Sequence, residues 1–221
     1  MDIKLKADDG HELAAYVARP SGSVSRAVVV IQEIFGVNRH IRSVVDGFAQ
    51  DGYLAIAPAL FDRVERGVEL AYTPDDMKRG FSIASKIGME DALRDVATAA
   101  EYAASQLGNE HVGVVGYCWG GSLAWVAATR LRVNAAVGYY GGRIAQYANE
   151  KANCPVMLHF GAKDPHIPAS EIDKIRAAHP DVPIYMYDAG HGFNCEERKD
   201  FDPRSAALAR TRTLDFLQKY V

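Results

Sequence analysis

His111-Val-Gly-Val-Val-Gly-Tyr-Cys-Trp-Gly-Gly-Ser122 is the stretch that decides how this chain reads. Val112, Val114 and Val115 make a short apolar run of the kind that is covered on both faces in a parallel sheet. The run ends in Gly116-Tyr117-Cys118-Trp119-Gly120, and a helical pattern begins at about Trp119. A strand that turns sharply into a helix through such a pattern sets the middle residue on a strained elbow above the sheet. Only small residues fit beside that turn, and Gly116 and Gly120 supply the room. Cys118 is therefore a candidate nucleophile, placed at a helix N-terminus where the dipole favours negative charge on sulfur. A cysteine met at random is more often a small buried hydrophobe. The strand, the two glycines and the following helix reverse that weighting.

Outward from the elbow the chain keeps alternating. Strand-like runs stand at Leu13–Ala18, Ala27–Ile31, Leu54–Ala57, Val112–Val115, Asn134–Tyr139, Pro155–Phe160 and Pro183–Tyr187. Helical spacing fills the gaps, most clearly in Leu93, Val96, Ala100, Ala103 and Leu107, with Gly108 placed to close the helix. Asp202-Pro203 suits the cap and first turn of a last helix carrying Leu208, Leu214 and Leu217. This alternation predicts an α/β fold with a mostly parallel central sheet and helices on both faces. The opening segment, turning at Asp8-Asp9-Gly10, predicts an antiparallel hairpin at one edge. Residues 1–221 read as one domain, with the charged, weakly periodic segment 61–76 expected as a small cap over a pocket.

Composition narrows the function classes. With 48% hydrophobic and 24% charged residues, the chain has the balance of an ordinary globular protein. A formal net charge of −3 carries no basic footprint for nucleic acid. No apolar run is long enough for a bilayer, and the opening residues do not look like a signal peptide. The three cysteines, Cys118, Cys154 and Cys195, lack metal-type spacing, and so sparse and odd a set goes with reduced thiols. The expectation is a cytoplasmic monomer acting on a small molecule, with no metal, no cofactor, and no nucleic-acid or membrane partner.

An elbow nucleophile needs a base and an orienting acid, in the chain order nucleophile, acid, histidine. Four histidines follow Cys118. His159 lies inside Val156-Met-Leu-His-Phe160 and reads as a core residue. His179 ends a charged helix and reads as solvated. His166 is a loop residue close behind Asp164 and is the second choice. His191 lies in Asp188-Ala-Gly-His-Gly-Phe193, a loop after the last strand, where this chain order presents its base. Asp164, in Gly161-Ala-Lys-Asp-Pro-His-Ile-Pro168, follows the preceding strand and is placed to accept the imidazole N–H. Read blandly, it is a turn aspartate before proline. Gln32-Glu-Ile-Phe-Gly36 follows the strand Ala27–Ile31, and the N–H groups of Ile34 and Trp119 are expected to face a developing oxyanion.

At this point the residues resemble the dienelactone hydrolase family of the α/β-hydrolase fold, over nearly the whole chain. The motifs that carry the resemblance are Gln32-Glu-Ile-Phe-Gly36, Gly116-Tyr-Cys-Trp-Gly-Gly121, Val137-Gly-Tyr-Tyr-Gly141, Ala189-Gly-His-Gly-Phe193 and the final Arg212-Thr-Leu-Asp-Phe-Leu217. The resemblance implies a hydrolase that cleaves an ester or enol lactone through a cysteine thioester, with Cys118, Asp164 and His191 as its triad. It implies that Glu33 contacts the resting thiol and helps trigger its deprotonation. Tyr139 matches a pocket tyrosine, and Phe35 and Phe193 are assigned to the pocket with it. The family's lactone-cleaving members hold the substrate carboxylate with two arginines, and this chain has Met77 and Cys195 at those positions. Lys78, Arg79 or Arg198 are the available substitutes. Without them, a substrate less dependent on a carboxylate clamp is expected. Two other readings stand beside this one: a non-catalytic ligand-binding protein on a hydrolase scaffold, and a thiol-regulated protein using Cys118 and Cys195.

Overall fold

Unbroken apolar runs become the central strands, and alternating ones become the edge. The computed structural model describes residues 1–221. Its strands are β1 (Asp2–Lys6), β2 (Glu12–Ala18), β3 (Ala27–Ile31), β4 (Leu54–Pro58), β5 (Val112–Tyr117), β6 (Ala135–Tyr139), β7 (Val156–Gly161) and β8 (Ile184–Tyr187). They form one sheet in the order β1-β2-β4-β3-β5-β6-β7-β8. β1 pairs antiparallel with β2, and β2 with β4; every other pairing is parallel. Every residue of β3, β4, β5, β6 and β7 is buried, because helices cover both faces. This is the α/β-hydrolase fold, with the expected antiparallel hairpin at its edge.

The helices are α1 (Arg39–Gln50), α2 (Pro74–Ala84), α3 (Met89–Leu107), α4 (Trp119–Arg130), α5 (Ala169–Ala178) and α6 (Pro203–Tyr220). Their ends follow local chemistry. Asn38 accepts from the Ile41 N–H to start α1, Thr73 does the same for α2, and Asp202 for α6 with Pro203 in its first turn. Gly108 ends α3 in the left-handed region at φ 66°. α1 and α6 share one face, tied by Arg210, which pairs with Asp51 and lies 3.8 Å over the Phe48 ring. α3 and α4 cover the other face, α3 burying Leu93, Val96 and Ala100. Each fully buried Leu or Val contributes roughly 1.5–3 kcal/mol. No helix is long and apolar enough to cross a membrane.

Two features of the sheet position the site. First, the chain leaves β3 for β4 on one side, and β5 lies on the other. Ligands of open parallel sheets bind beyond the carboxyl ends of the strands at such a reversal. Second, Tyr117, Tyr139, His159 and Tyr185 stand side by side in register across β5 to β8. Their rings are 4.7, 4.5 and 5.7 Å apart in turn, on the α6 face. Cys118 is the residue that follows the first of them.

Candidate active site

The elbow takes the shape its glycines permit. Cys118 has φ 55° and ψ −114°, a conformation that costs a non-glycine residue about 1–3 kcal/mol. A Cβ on Gly116 would lie 1.8 Å from the Gly120 carbonyl oxygen, and one on Gly120 would lie 2.3 Å from that of Ile31. Neither position accepts a side chain while α4 starts where it does. The Cys118 N–H donates to the Tyr139 carbonyl at 2.9 Å, which pins the turn to the end of β6.

From Cys118 a row of polar groups runs across the sheet end. Its sulfur lies 3.1 Å from His191 Nε2, and His191 Nδ1 lies 2.6 Å from Asp164 Oδ2. The other Asp164 oxygen accepts from the His166 N–H at 2.8 Å. Gly161 lets the two loops meet, since a Cβ there would lie 2.4 Å from the Ala189 carbonyl oxygen. Burial opposes charging His191. The Cys118 sulfur and the Asp164 carboxylate outweigh it and push His191 up to about 10. His166 stays exposed, its ring 5.3 Å from that of His191 and edge-on. His159 is buried, as expected. His179 is not simply solvated: its Nε2 meets the Ala148 carbonyl oxygen at 2.7 Å and its ring packs edge-on against Trp125.

Cys118 and His191 open into a cavity of about 230 Å³, also lined by Ile34, Phe35, Trp119, Met77 and Phe81. The N–H groups of Ile34 and Trp119 donate to no protein acceptor. Gly80 of α2 packs so closely on the Ile34 carbonyl that a Cβ would lie 1.9 Å from its oxygen. That contact fixes the Ile34 peptide from its carbonyl side. Residues 61–76 do not line the cavity. The wall comes from the next segment, Met77 to Ser85, because Thr73 and Pro74 start α2 and swing that helix over the sheet end.

Glu33 is fully buried beside the cavity. Its Oε1 accepts from Arg198 at 3.2 Å and its Oε2 from the Tyr72 hydroxyl at 3.1 Å. It makes no hydrogen bond to the Cys118 sulfur, which is engaged by His191. Arg198 is held over the rings of Phe35 and Tyr72, 5.8 Å from each centroid. Burial and the charge of Glu33 push the Cys195 thiol up to about 12. That disfavours a thiolate at this buried position.

Four sequence-based pocket assignments need correction. Tyr139 is buried in the ring row, its hydroxyl 2.7 Å from Thr213 Oγ1 on α6, because its alternation along β6 turns it away from the cavity. Phe193 is fully buried, packed against Tyr140 and Tyr187 rather than on the cavity wall. Lys78 and Arg79 fall on the outer side of α2, paired with Asp75 and Glu65. Phe35 does line the cavity, and so does Arg198, the third substitute named from sequence. Arg143, Ser122 and Phe81 line it without having been expected. Only Arg143 left any sequence signal, a cation two residues after the Val137–Gly141 motif.

Fold, elbow and adjoining row place the chain among the α/β-hydrolases. The pattern of the Dienelactone hydrolase family matches residues 13–221. The carboxymethylenebutenolidase of Pseudomonas putida is 34% identical, over 97% of this chain and 94% of its own length. Carboxymethylenebutenolidase 1 of Cupriavidus pinatubonensis is 30% identical, over 97% and 95%. A crystal structure from Klebsiella pneumoniae subsp. pneumoniae, provisionally named a dienelactone hydrolase, superposes with a TM-score of 0.89 at 31% identity and covers 100% of this chain and 99% of its own. The chain belongs to the dienelactone hydrolase family, and it is a hydrolase of that kind.

Proposed function

We propose that the protein hydrolyses a small ester or lactone through a thioester on Cys118, as a monomer and without a cofactor. The observation that carries this reading is the continuous row Cys118, His191, Asp164 at the mouth of a cavity, with contacts of 3.1 and 2.6 Å. The sulfur attacks the carbonyl carbon, and the carbonyl electron pair moves to oxygen, where the Ile34 and Trp119 N–H groups receive the charge. Collapse expels the substrate's enolate or phenolate, which takes the proton that His191 Nε2 received from the Cys118 thiol. The acyl group is then a thioester. Water gives a proton to His191 and attacks that thioester, and the thiolate leaves with release of the acid. Asp164 holds the ring in the orientation that points Nε2 at sulfur.

A thiol nucleophile also restricts the substrate. Thiolate leaves a tetrahedral intermediate more readily than an ordinary alkoxide or amine does. The substrate must therefore carry a better leaving group, such as an enolate or a phenolate. Amides are poor substrates on the same argument.

The test is hydrolysis of 4-nitrophenyl esters by wild type and Cys118→Ala, with mass spectrometry of the protein quenched in turnover. The expected result is loss of essentially all activity in the variant, and an acyl adduct on the peptide containing Cys118 in wild type. Substantial activity in a folded Cys118→Ala protein would overturn the assignment.

A further inference from the structure

A second polar cluster lies beside the cavity, and the reaction steps above do not use it. Donor atoms of Glu33, His40 and Cys195 all lie within 4.8 Å of one another, and all three residues are buried. His40 is 7% exposed, and its Nε2 is buried with no hydrogen-bond partner. An unpaired polar atom at such depth is costly, and native proteins leave few of them. A thiol, a carboxylate and an unpaired imidazole nitrogen within so short a span form a set of metal donors.

Three parts of the chain build the cluster. Glu33 follows β3, and Gly36 then turns the backbone at φ 80°, where a Cβ would lie 1.9 Å from the Val68 carbonyl oxygen. Asn38 caps α1, which sets His40 in the first turn and brings it back beside Glu33. Cys195 comes from the loop after β8, four residues beyond His191. Its N–H donates to the Gly192 carbonyl at 2.9 Å, and its carbonyl accepts from the Arg198 N–H at 3.0 Å. All three donors are thus placed by backbone. Glu33 has Arg198 on one oxygen and the Tyr72 hydroxyl on the other. A carboxylate offers about four acceptor sites, so room for a cation remains.

The donor set selects the ion. Zinc accepts sulfur, imidazole nitrogen and carboxylate oxygen together, whereas calcium and magnesium call for oxygen alone. Tetrahedral zinc spaces its donors about 3.5 Å apart, so modest side-chain rotations close this cluster on the ion. We infer that Glu33, His40 Nε2 and Cys195 form a binding site for one divalent cation of the zinc class, with water in the fourth position. Coordination releases the Cys195 thiol proton to solvent, and thiolate and carboxylate then balance the charge of the ion. Glu196 and Glu197 add negative charge near His40, against the single positive charge of Arg198. The ion ties the start of α1 to the loop that carries His191. It lies off the reaction path, and the inference does not depend on the esterase reading.

The chain has three cysteines, so Cys118→Ala combined with Cys154→Ser leaves Cys195 as the single thiol. The experiment titrates this double variant, full-length, with Co²⁺ and then with Zn²⁺. The expected result is a thiolate-to-cobalt absorption band in the near ultraviolet that saturates at one ion per chain and disappears as Zn²⁺ displaces cobalt. His40→Gln and Glu33→Gln in the same background should each weaken cobalt binding by more than about a hundredfold, since losing even a second-shell partner costs ten- to a hundredfold. Circular dichroism checks that each variant is folded. X-ray absorption at the zinc edge needs no further substitution, and should show one sulfur at about 2.3 Å with nitrogen and oxygen at about 2.0–2.2 Å. Zn²⁺ should also raise the thermal midpoint of the double variant, because it binds the folded chain. No thiolate band at saturating cobalt, a zinc shell without sulfur, or cobalt binding unchanged in a folded His40→Gln protein overturns the inference.

Discussion

His159 and His191 lie within a few residues of the sheet's carboxyl edge, both buried by the protein, and burial alone would push both the same way. Around His159 the partners are neutral: Tyr187 OH at 2.8 Å, Thr213 Oγ1 at 3.1 Å, and the rings of Tyr139 and Tyr185. Burial, aided by the nearby charge of Arg212, pushes its pKa down to about 3. His191 has a carboxylate on one nitrogen and a sulfur on the other, and it is pushed up to about 10. The sign of the shift follows the charge of the partners, not the depth of burial. On the α6 face a polar cluster is locked neutral and holds three strands to a helix. On the rim, a carboxylate and a sulfur flank a histidine and favour its protonated form.

The largest effect that tests this contrast is on turnover. His191→Ala should lower kcat/KM for an activated ester by about a thousandfold or more, the range for loss of a general base within a triad. His166→Ala should lower it by less than about tenfold, because that ring faces solvent and meets His191 only by its edge. Steady-state kinetics of the two folded variants decides between them. Equal losses would mean that the proton passes through His166, and the row would need redrawing.

Legibility in the sequence followed the way each residue is held. Cys118, Asp164 and His191 are placed by backbone: a glycine-flanked elbow, the end of β7, and a loop that Gly161 lets close. Glycine spacing and chain order are printed in the sequence, so these residues could be named and their meeting was found. Tyr139 and Phe193 belong to equally clear motifs, but a motif does not say to which side of the sheet a side chain turns. Lys78 and Arg79 are one and two residues from Met77, and on a helix that rotation carries them outside. Arg198 and Arg143 reach the cavity with long side chains from loops, and loop reach has no periodicity to read. The Glu33 to Arg198 pair joins residues 165 apart in the chain, and no local pattern announces it.

That pair carries the next largest effect. Glu33 is wholly buried and Arg198 nearly so. Arg198→Met should destabilise the protein by about 3–5 kcal/mol, because it strands a buried carboxylate with only the Tyr72 hydroxyl as donor. Adding Glu33→Gln should recover much of that loss, since no charge is then left unpaired. Urea denaturation of wild type, both singles and the double provides the cycle. If the double variant is as unstable as the sum of the singles, the arginine acts by packing on Phe35 and Tyr72 instead of by charge.

The smallest effect is a slope rather than a loss, and it comes from the neutral cluster. With the His159 pKa pushed down to about 3 in the folded protein, and about 6.5 in the unfolded chain, the two states differ in bound protons between those values. In that window the unfolded chain carries a proton on this residue and the folded one does not, so stability rises with pH and is lost as pH falls from about 6.5 toward 3. His159→Gln keeps a donor and an acceptor in the cluster but does not titrate. At pH 7 wild type should be the more stable protein, because the imidazole fits Tyr187 and Thr213 on both nitrogens. By pH 4.5 the gap should shrink by about 2.5 kcal/mol, the work of keeping a buried ring uncharged over two pH units. Urea midpoints of the two proteins at pH 7 and 4.5 measure the change. Parallel decline of both would mean that His159 takes up its proton while folded, and that the ring row on the α6 face admits a charge its hydroxyls alone would have to stabilise.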